Sequence, residues 1–269
     1  MTLLAAVIHI EPERALPRWL GRALQAWLLE NVKHHDSSLA TALHGVKAGA
    51  SRRPYTASGI RGEQDHFWLR ITSVSPPLSA LLRDAILPGL TASGGAPLTL
   101  AGVSIKVRAV QIEGHAWAGQ SDFETLARES FASDPIEAPG FEFATPTAFH
   151  RGGLSVPLPV APLVYGSLIQ SWNTLSPVPL PVRLDTFLDT AVGISRHRLS
   201  SHSVRFGETE QHIGFTGNVR YMLLPQAKTG FSQLEYSQRL QAIALLTRFA
   251  FYVGVGIRTA VGMGQVRPL

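Results

Sequence analysis

The end of the chain constrains its fold most. An apolar segment with helical character, Leu234 to Tyr252, runs almost directly into Gly254-Val255-Gly256, then Ile257-Arg258-Thr259-Ala260-Val261, then Gly262-Met263-Gly264-Gln265-Val266. Glycine permits positive φ and close backbone approach, so this loop is expected to lay N–H groups bare against an anion such as phosphate. The order of elements excludes the common glycine motifs. A dinucleotide fingerprint runs strand, glycines, helix; here the helix comes first and a short closing strand follows. No Gly-Lys-Ser/Thr is present, so a nucleotide-triphosphate P-loop is excluded as well.

Hydrophobic periodicity supplies the rest of the order. Leu3 to Ile10 reads as a strand. Leu16, Leu20, Ala23, Leu24, Trp27 and Leu28 fall on one helical face, and Lys33, His34 and His35 close that helix where its dipole favours positive charge. A segment containing Gly, Ser and Arg follows that reads as loop or strand, then a strand at 67–71, a helix opened by Pro76-Pro77, a strand at 103–112 and a helix at 122–131. Residues 133–140 have linker chemistry. The plan then repeats, with strand 141–144, helix 160–173, strands near 196–206 and 217–224, helix 234–252 and strand 265–267. Two split βαβ units in tandem describe this order. The predicted fold is α+β, two ferredoxin-like (βαββαβ) domains at 1–138 and 139–269, with the glycine-rich loop at the C-terminus.

With 45% apolar residues the chain of 269 can build packed cores. Lys plus Arg number 24 against 19 Asp plus Glu, a formal charge of +5, which suits a polyanionic partner. There is no cysteine, which removes disulfides, thiolate metal sites and cysteine nucleophiles together. The N-terminus lacks a basic leader region, and no apolar run approaches the roughly 20 residues that span a bilayer. A cytoplasmic protein without membrane contact is expected. No His-Glu-x-x-His or Gly-x-Ser-x-Gly occurs, and adjacent His34 and His35 do not face one another as a metal pair would. No metal or other cofactor is expected.

Four segments carry a resemblance. They are Leu43-His44 with Pro54-Tyr55-Thr56-Ala57-Ser58; Phe143 to Phe149 with Leu158-Pro159 and Ser171-Trp172-Asn173; Gly214-Phe215-Thr216-Gly217-Asn218-Val219; and Gly254 to Val266. In order and spacing the chain resembles the CRISPR repeat-processing endoribonucleases, within the superfamily of repeat-associated RNA-binding proteins. Gly59-Ile60 stand where the family pattern has proline and leucine. The resemblance implies a metal-independent endoribonuclease that cuts CRISPR precursor RNA inside each repeat. Attack by the ribose 2′-hydroxyl would leave 2′,3′-cyclic phosphate and 5′-hydroxyl ends. The implied partner is a repeat stem-loop, with a multi-subunit effector complex and a homodimer as candidate assemblies. The alternative is a subunit of the same superfamily that holds guide RNA without cutting it.

Such a reaction needs one group to take the 2′ proton, one to protonate the leaving oxygen, and cations on the phosphate. The resemblance singles out His44 as acid or base, at the end of a short helix that Ser37 is placed to cap and whose C-terminus favours the imidazolium. His34 and His35 are the reserve, with helix charge compensation as their bland role. Lys47, Arg52 and Arg53 share the following loop and suit the scissile phosphate. Arg196, Arg198, His202 and Arg205 alternate with hydroxyls, as contacts to phosphate and ribose would; an exposed charged hairpin is the other reading. Arg258 and Thr259 are further RNA-binding candidates, with Lys106 and Arg108 weaker ones. Gly254, Gly256, Gly262 and Gly264 serve RNA approach, close helix–sheet packing, or both at once. No aromatic stacking platform is evident.

Overall fold

The computed structural model describes residues 2–17, 19–45, 52–61, 67–92, 98–134, 136–180, 182–206 and 210–269. The first unit comprises β1 (Leu3–Pro12), α1 (Gly21–His35), α2 (Ser37–Gly45), β2 (Tyr55–Arg61) and β3 (Phe67–Ser73). Then come α3 (Pro76–Leu81), a π-helical turn (Leu82–Ile86), α4 (Leu87–Gly89), β4 (Leu98–Leu100), β5 (Val103–Gln111), β6 (Gly119–Ser121) and α5 (Phe123–Ala132). The second comprises β7 (Gly140–Thr147), β8 (Phe149–Arg151), β9 (Leu154–Val156), α6 (Ala161–Leu175), α7 (Asp185–Thr190), β10 (Val192–Phe206), β11 (Glu210–Leu223), α8 (Gln233–Val253) and β12 (Val266–Pro268). The sheets run β2-β3-β1-β5-β4, with β6 also on β1, and β10-β11-β7-β12, all antiparallel. Without the short β4 and β6, both orders are those of βαββαβ. The chain is two ferredoxin-like folds in tandem.

β1 reads as an unbroken apolar run because both of its faces are covered. Leu4, Ala6 and Ile8 join the core beneath α1, whereas Leu3 and Ala5 join the core of the second unit. α8 is apolar nearly all round for the same reason: it packs on α5 and α6 and also meets β1, β2 and β3. Its start is held by a capping box, Glu235 N–H donating to Ser232 Oγ at 3.3 Å and Ser232 N–H to Glu235 Oε2 at 2.9 Å. α5 begins on Asp122, whose carboxylate accepts from Thr125 N–H at 2.7 Å. Phe123 of α5 lies between Trp172 and Phe249, so this helix buries its apolar side in the core of the second unit.

Several expectations are corrected here. α1 starts at Gly21, leaving Leu16 and Leu20 before the helix. Asp36 caps α2 in place of Ser37: Leu39 N–H and Ser38 Oγ–H both donate to Asp36 Oδ1, at 2.9 and 2.7 Å. Residues 55–61, which the sequence leaves open between loop and strand, form edge strand β2, paired along its whole length with β3. The glycine and hydroxyl residues there hide the period-2 pattern, since Ala57 and Ser58 are both buried.

Candidate active site and RNA interface

The glycine-rich segment following α8 folds back upon itself and upon the first unit. Val255 N–H donates to Gly264 O at 2.9 Å, Gly264 N–H to Pro146 O at 3.1 Å, and Ile257 N–H to Ala148 O at 3.0 Å. Gly254, Gly256, Gly262 and Gly264 all have positive φ. A Cβ on Gly264 would lie 2.0 Å from Val255 O, and one on Gly256 2.3 Å from Ala148 O. The first residue of α1 meets this loop too, a Cβ on Gly21 falling 1.6 Å from Val261 O. The expectation that the four glycines lay bare N–H groups is therefore corrected. Gly254 N–H donates to Ala250 O, Gly256 N–H to Ser167 Oγ and Gly262 N–H to Thr259 O. These glycines satisfy close packing and thereby hold Arg258, itself left-handed at φ 57°, at the surface. Gly264→Ala is expected to cost more than about 2 kcal/mol by strain and clash, read from urea unfolding.

A cleft of about 630 Å³ opens beside this loop. Gln25 of α1, Arg52, Arg53, His150 of β8, one side of α6 and residues 256–261 line it. Among the described residues its lining carries three arginines, Arg52, Arg53 and Arg258, and no carboxylate. Arg52 bridges the two units: its guanidinium donates to Gly256 O, to Ser167 Oγ at 3.0 Å and to Gln170 Oε1 at 3.3 Å. Burial pulls its pKa below the usual arginine value. Arg53 and Gln25 both donate to the Tyr55 hydroxyl, at 2.8 and 3.1 Å, which fixes the turn into β2.

The model of the family described as CRISPR-associated endoribonuclease Cas6 matches residues 141–266, the stretch that holds the second sheet, α8 and the glycine loop. A CRISPR-associated endoribonuclease Cas6 of Mycobacterium tuberculosis is 28% identical over 261 residues, covering 95% of this chain and 73% of that protein. Among solved structures, a Cas6 product complex superposes with a TM-score of 0.78 at 28% identity, over 99% of this chain and 100% of that one. Thermus thermophilus Cas6 gives a TM-score of 0.72 at 26% identity, over 100% and 98%. In sequence and fold the chain is similar to the Cas6 CRISPR-associated endoribonucleases.

His44 lies on the last turn of α2 and is exposed. Lys47 lies outside the described residues, and the chain re-enters at Arg52 inside the cleft. His34 and His35 are exposed at the end of α1, with their rings edge to face at 5.4 Å. His35 Nδ1 donates to Asn31 O at 2.9 Å, a hydrogen bond that caps a terminal carbonyl. Arg196, Arg198 and Arg205 are exposed on edge strand β10, and His202 Nε2 is hydrogen-bonded to Thr216 Oγ1 at 2.8 Å. Strand alternation separates them. Arg196, Arg198 and His202 share the face of Val204 and Phe206, which packs near Trp19 and Met263, while Arg205 takes the opposite face. Thr259 opens a single 3₁₀ turn and packs its methyl against Gly254 and Gly264.

Two clusters lie beyond what the sequence singles out. At the turn end of the β10–β11 hairpin, where Phe206 pairs with Glu210, Glu210 gathers three basic side chains: Arg22 at 2.8 Å, His212 at 2.9 Å, and Arg258. The His212 hydrogen bond first, then the charges of Arg258, His212 and Arg22, hold its carboxyl below the usual glutamate range. Phe206 lies beneath Arg22 and Arg258, 5.2 and 6.0 Å from ring centre to guanidinium. The second cluster surrounds Arg70, which is fully buried on β3. It donates to Trp117 O at 2.9 Å, Gln265 Oε1 at 2.8 Å and Phe251 O at 2.7 Å, which ties the first sheet to the end of α8 and to the residue before β12. Burial lowers its pKa to about 9, so it stays charged at neutral pH. Among the described residues there is no group of three or more potential metal ligands and no helix long and apolar enough to cross a membrane.

Proposed function

We propose that this chain cleaves CRISPR precursor RNA within the repeat as a metal-independent endoribonuclease. The supporting observation is the cleft with three arginines and no carboxylate among its described lining residues, built jointly by the turn into β2, α6 and the glycine loop. An exposed histidine lies on the short helix just before that turn. Cas6 relatives of like fold have been captured with product and with a substrate mimic. Residues 1–138 then carry the catalytic loop, and residues 139–269 carry the hairpin and glycine loop that seat the RNA.

In the proposed reaction the ribose 2′-oxygen attacks the adjacent phosphorus and the bond to the 5′-oxygen breaks, giving a 2′,3′-cyclic phosphate and a 5′-hydroxyl. One proton leaves the 2′-hydroxyl and one reaches the 5′-oxygen, with His44 serving one of these transfers and Lys47 as a further candidate catalytic group. Arg53 and Arg258 offset the charge that develops on the phosphate oxygens. Arg52, already committed to three acceptors, holds the cleft's shape. Arg196, Arg198 and His202 meet the stem from the hairpin. Arg205, on the other face, contributes less.

The test is labelled repeat RNA incubated with the purified chain in excess EDTA. A single cut ending in cyclic phosphate is expected, and RNA carrying a 2′-deoxy residue at the cut is expected to bind and stay whole. A tight shift without cutting identifies a guide-holding subunit, and neither binding nor cutting sinks the RNA reading.

Glu210 supplies a second measurement. Its carboxylate neutralises Arg22 and Arg258, so Glu210→Gln frees two cations beside the cleft. Repeat affinity is expected to rise a few-fold, with a steeper fall as salt increases. Weaker binding by this variant would mean that Glu210 serves to position the arginines.

A further inference from the structure

The face of the first sheet turned away from α1 changes character along its strands. Thr56, Ser58, Arg70 and Thr72 are buried, His9 and Trp68 half-buried, and Lys106 and Ala109 exposed. At the open end three rings stand together. His9 of β1 is directly opposite Trp68 of β3, and His115, from the turn after β5, reaches both. Its ring centre lies 5.5 Å from that of His9 and 5.4 Å from that of Trp68, edge to face in each case. Sequence spacing hides this group, because the three residues come from three separate segments.

Their hydrogen bonds define what the group offers a ligand. Trp117 N–H donates to His115 Nδ1 at 3.1 Å, so that nitrogen carries no proton and the ring is neutral, with Nε2–H as a donor. Burial, then the charges of His9, Arg267 and Arg70, push the His115 pKa down in agreement. His9 Nε2 donates to Gln111 Oε1 at 2.7 Å, which leaves Nδ1 as an acceptor when the ring is neutral. Aromatic surface beside one ring donor and one ring acceptor is the chemistry that holds an unpaired base. Lys106, exposed on neighbouring β5, supplies positive charge for the backbone of such a strand.

The position fits as well. Tyr55 and Ile60, the partner of Trp68, are five residues apart on β2. That places the rings about 17 Å along the strand from the cleft end, within reach of a few unpaired nucleotides. We propose that His9, Trp68 and His115 form a pocket for an unpaired base in the single-stranded segment flanking the repeat stem. This rests on the RNA-processing reading above.

The experiment measures binding of two RNAs, the full repeat and its stem-loop alone, to the whole chain and to Trp68→Ala, Trp68→Phe and His115→Ala. Thermal melts check that each variant is folded, and His115→Ala, in a turn, keeps the test valid should Trp68→Ala unfold. Trp68→Ala is expected to weaken full-repeat binding about tenfold or more. Trp68→Phe, which keeps a π face, should stay within about threefold of wild type, with His115→Ala between the two. Stem-loop binding should be the same for all four proteins. Unchanged full-repeat affinity in folded Trp68→Ala or His115→Ala, or an equal loss for both RNAs, overturns the pocket. If the wild-type chain binds neither RNA, the RNA reading itself fails and takes the pocket with it.

Discussion

Replacing His44 with alanine is expected to lower repeat cleavage by about 10²–10⁴-fold, the usual worth of a positioned acid or base. Repeat binding should stay within a few-fold of wild type. The two effects separate because the binding energy of a polyanion is spread over many cations, whereas a proton transfer depends on one group. His44 is exposed at the end of α2, where a large ligand can reach it, and Arg52 lines the cleft. Single-turnover cleavage and filter binding on the same preparation read both quantities. His34→Ala and His35→Ala serve as controls, expected to leave the rate within about twofold, since His35 already caps a carbonyl of its own helix. Full activity in His44→Ala with loss in either control would transfer the role to that residue.

Arg70→Met is expected to destabilise the chain by about 3–5 kcal/mol, with a fall in Tm on the order of 10 °C. Methionine approximates the volume but donates nothing. The carbonyls of Trp117 and Phe251 and the side-chain oxygen of Gln265 then lose the guanidinium that each now accepts from. Thr56 still reaches Gln265 at 3.3 Å, so part of the network survives. The guanidinium also lies 4.5 Å from the ring centre of Phe251, and that cation–π attraction disappears with the charge. Because these partners belong to both units, the destabilisation should appear in the unfolding of the whole chain, followed by calorimetry and urea titration. A change below about 1 kcal/mol would show that the burial cost of this charge cancels its hydrogen bonds.

Legibility in the sequence follows the range of the interactions. The βαββαβ order of both units can be read because each long element carries its own period, as in α6 and β7. Strand β2 stays open between loop and strand in the sequence, since its small and hydroxyl residues are buried by neighbours far away in the chain. The glycine loop is tight, as its composition implies. The N–H groups of its four glycines are nevertheless occupied, those of Gly256 and Gly264 by acceptors at Ser167 and Pro146 that are not visible from the loop's own residues. Asp36 displaces Ser37 as the cap of α2 by a matter of one residue, a distinction that only backbone geometry resolves.

The sequence alone therefore determined the order of elements, the surplus of positive charge, and the motif segments, all properties of neighbouring residues. Only the tertiary structure decided that Arg52 spans two units. The meeting of Glu210 with Arg22 and Arg258, and of Trp68 with His9 and His115, was likewise decided there. Each depends on strand register, helix crossing or loop closure between segments tens to hundreds of residues apart. Local propensity holds no record of such pairings, because they exist only once the two sheets have formed and packed.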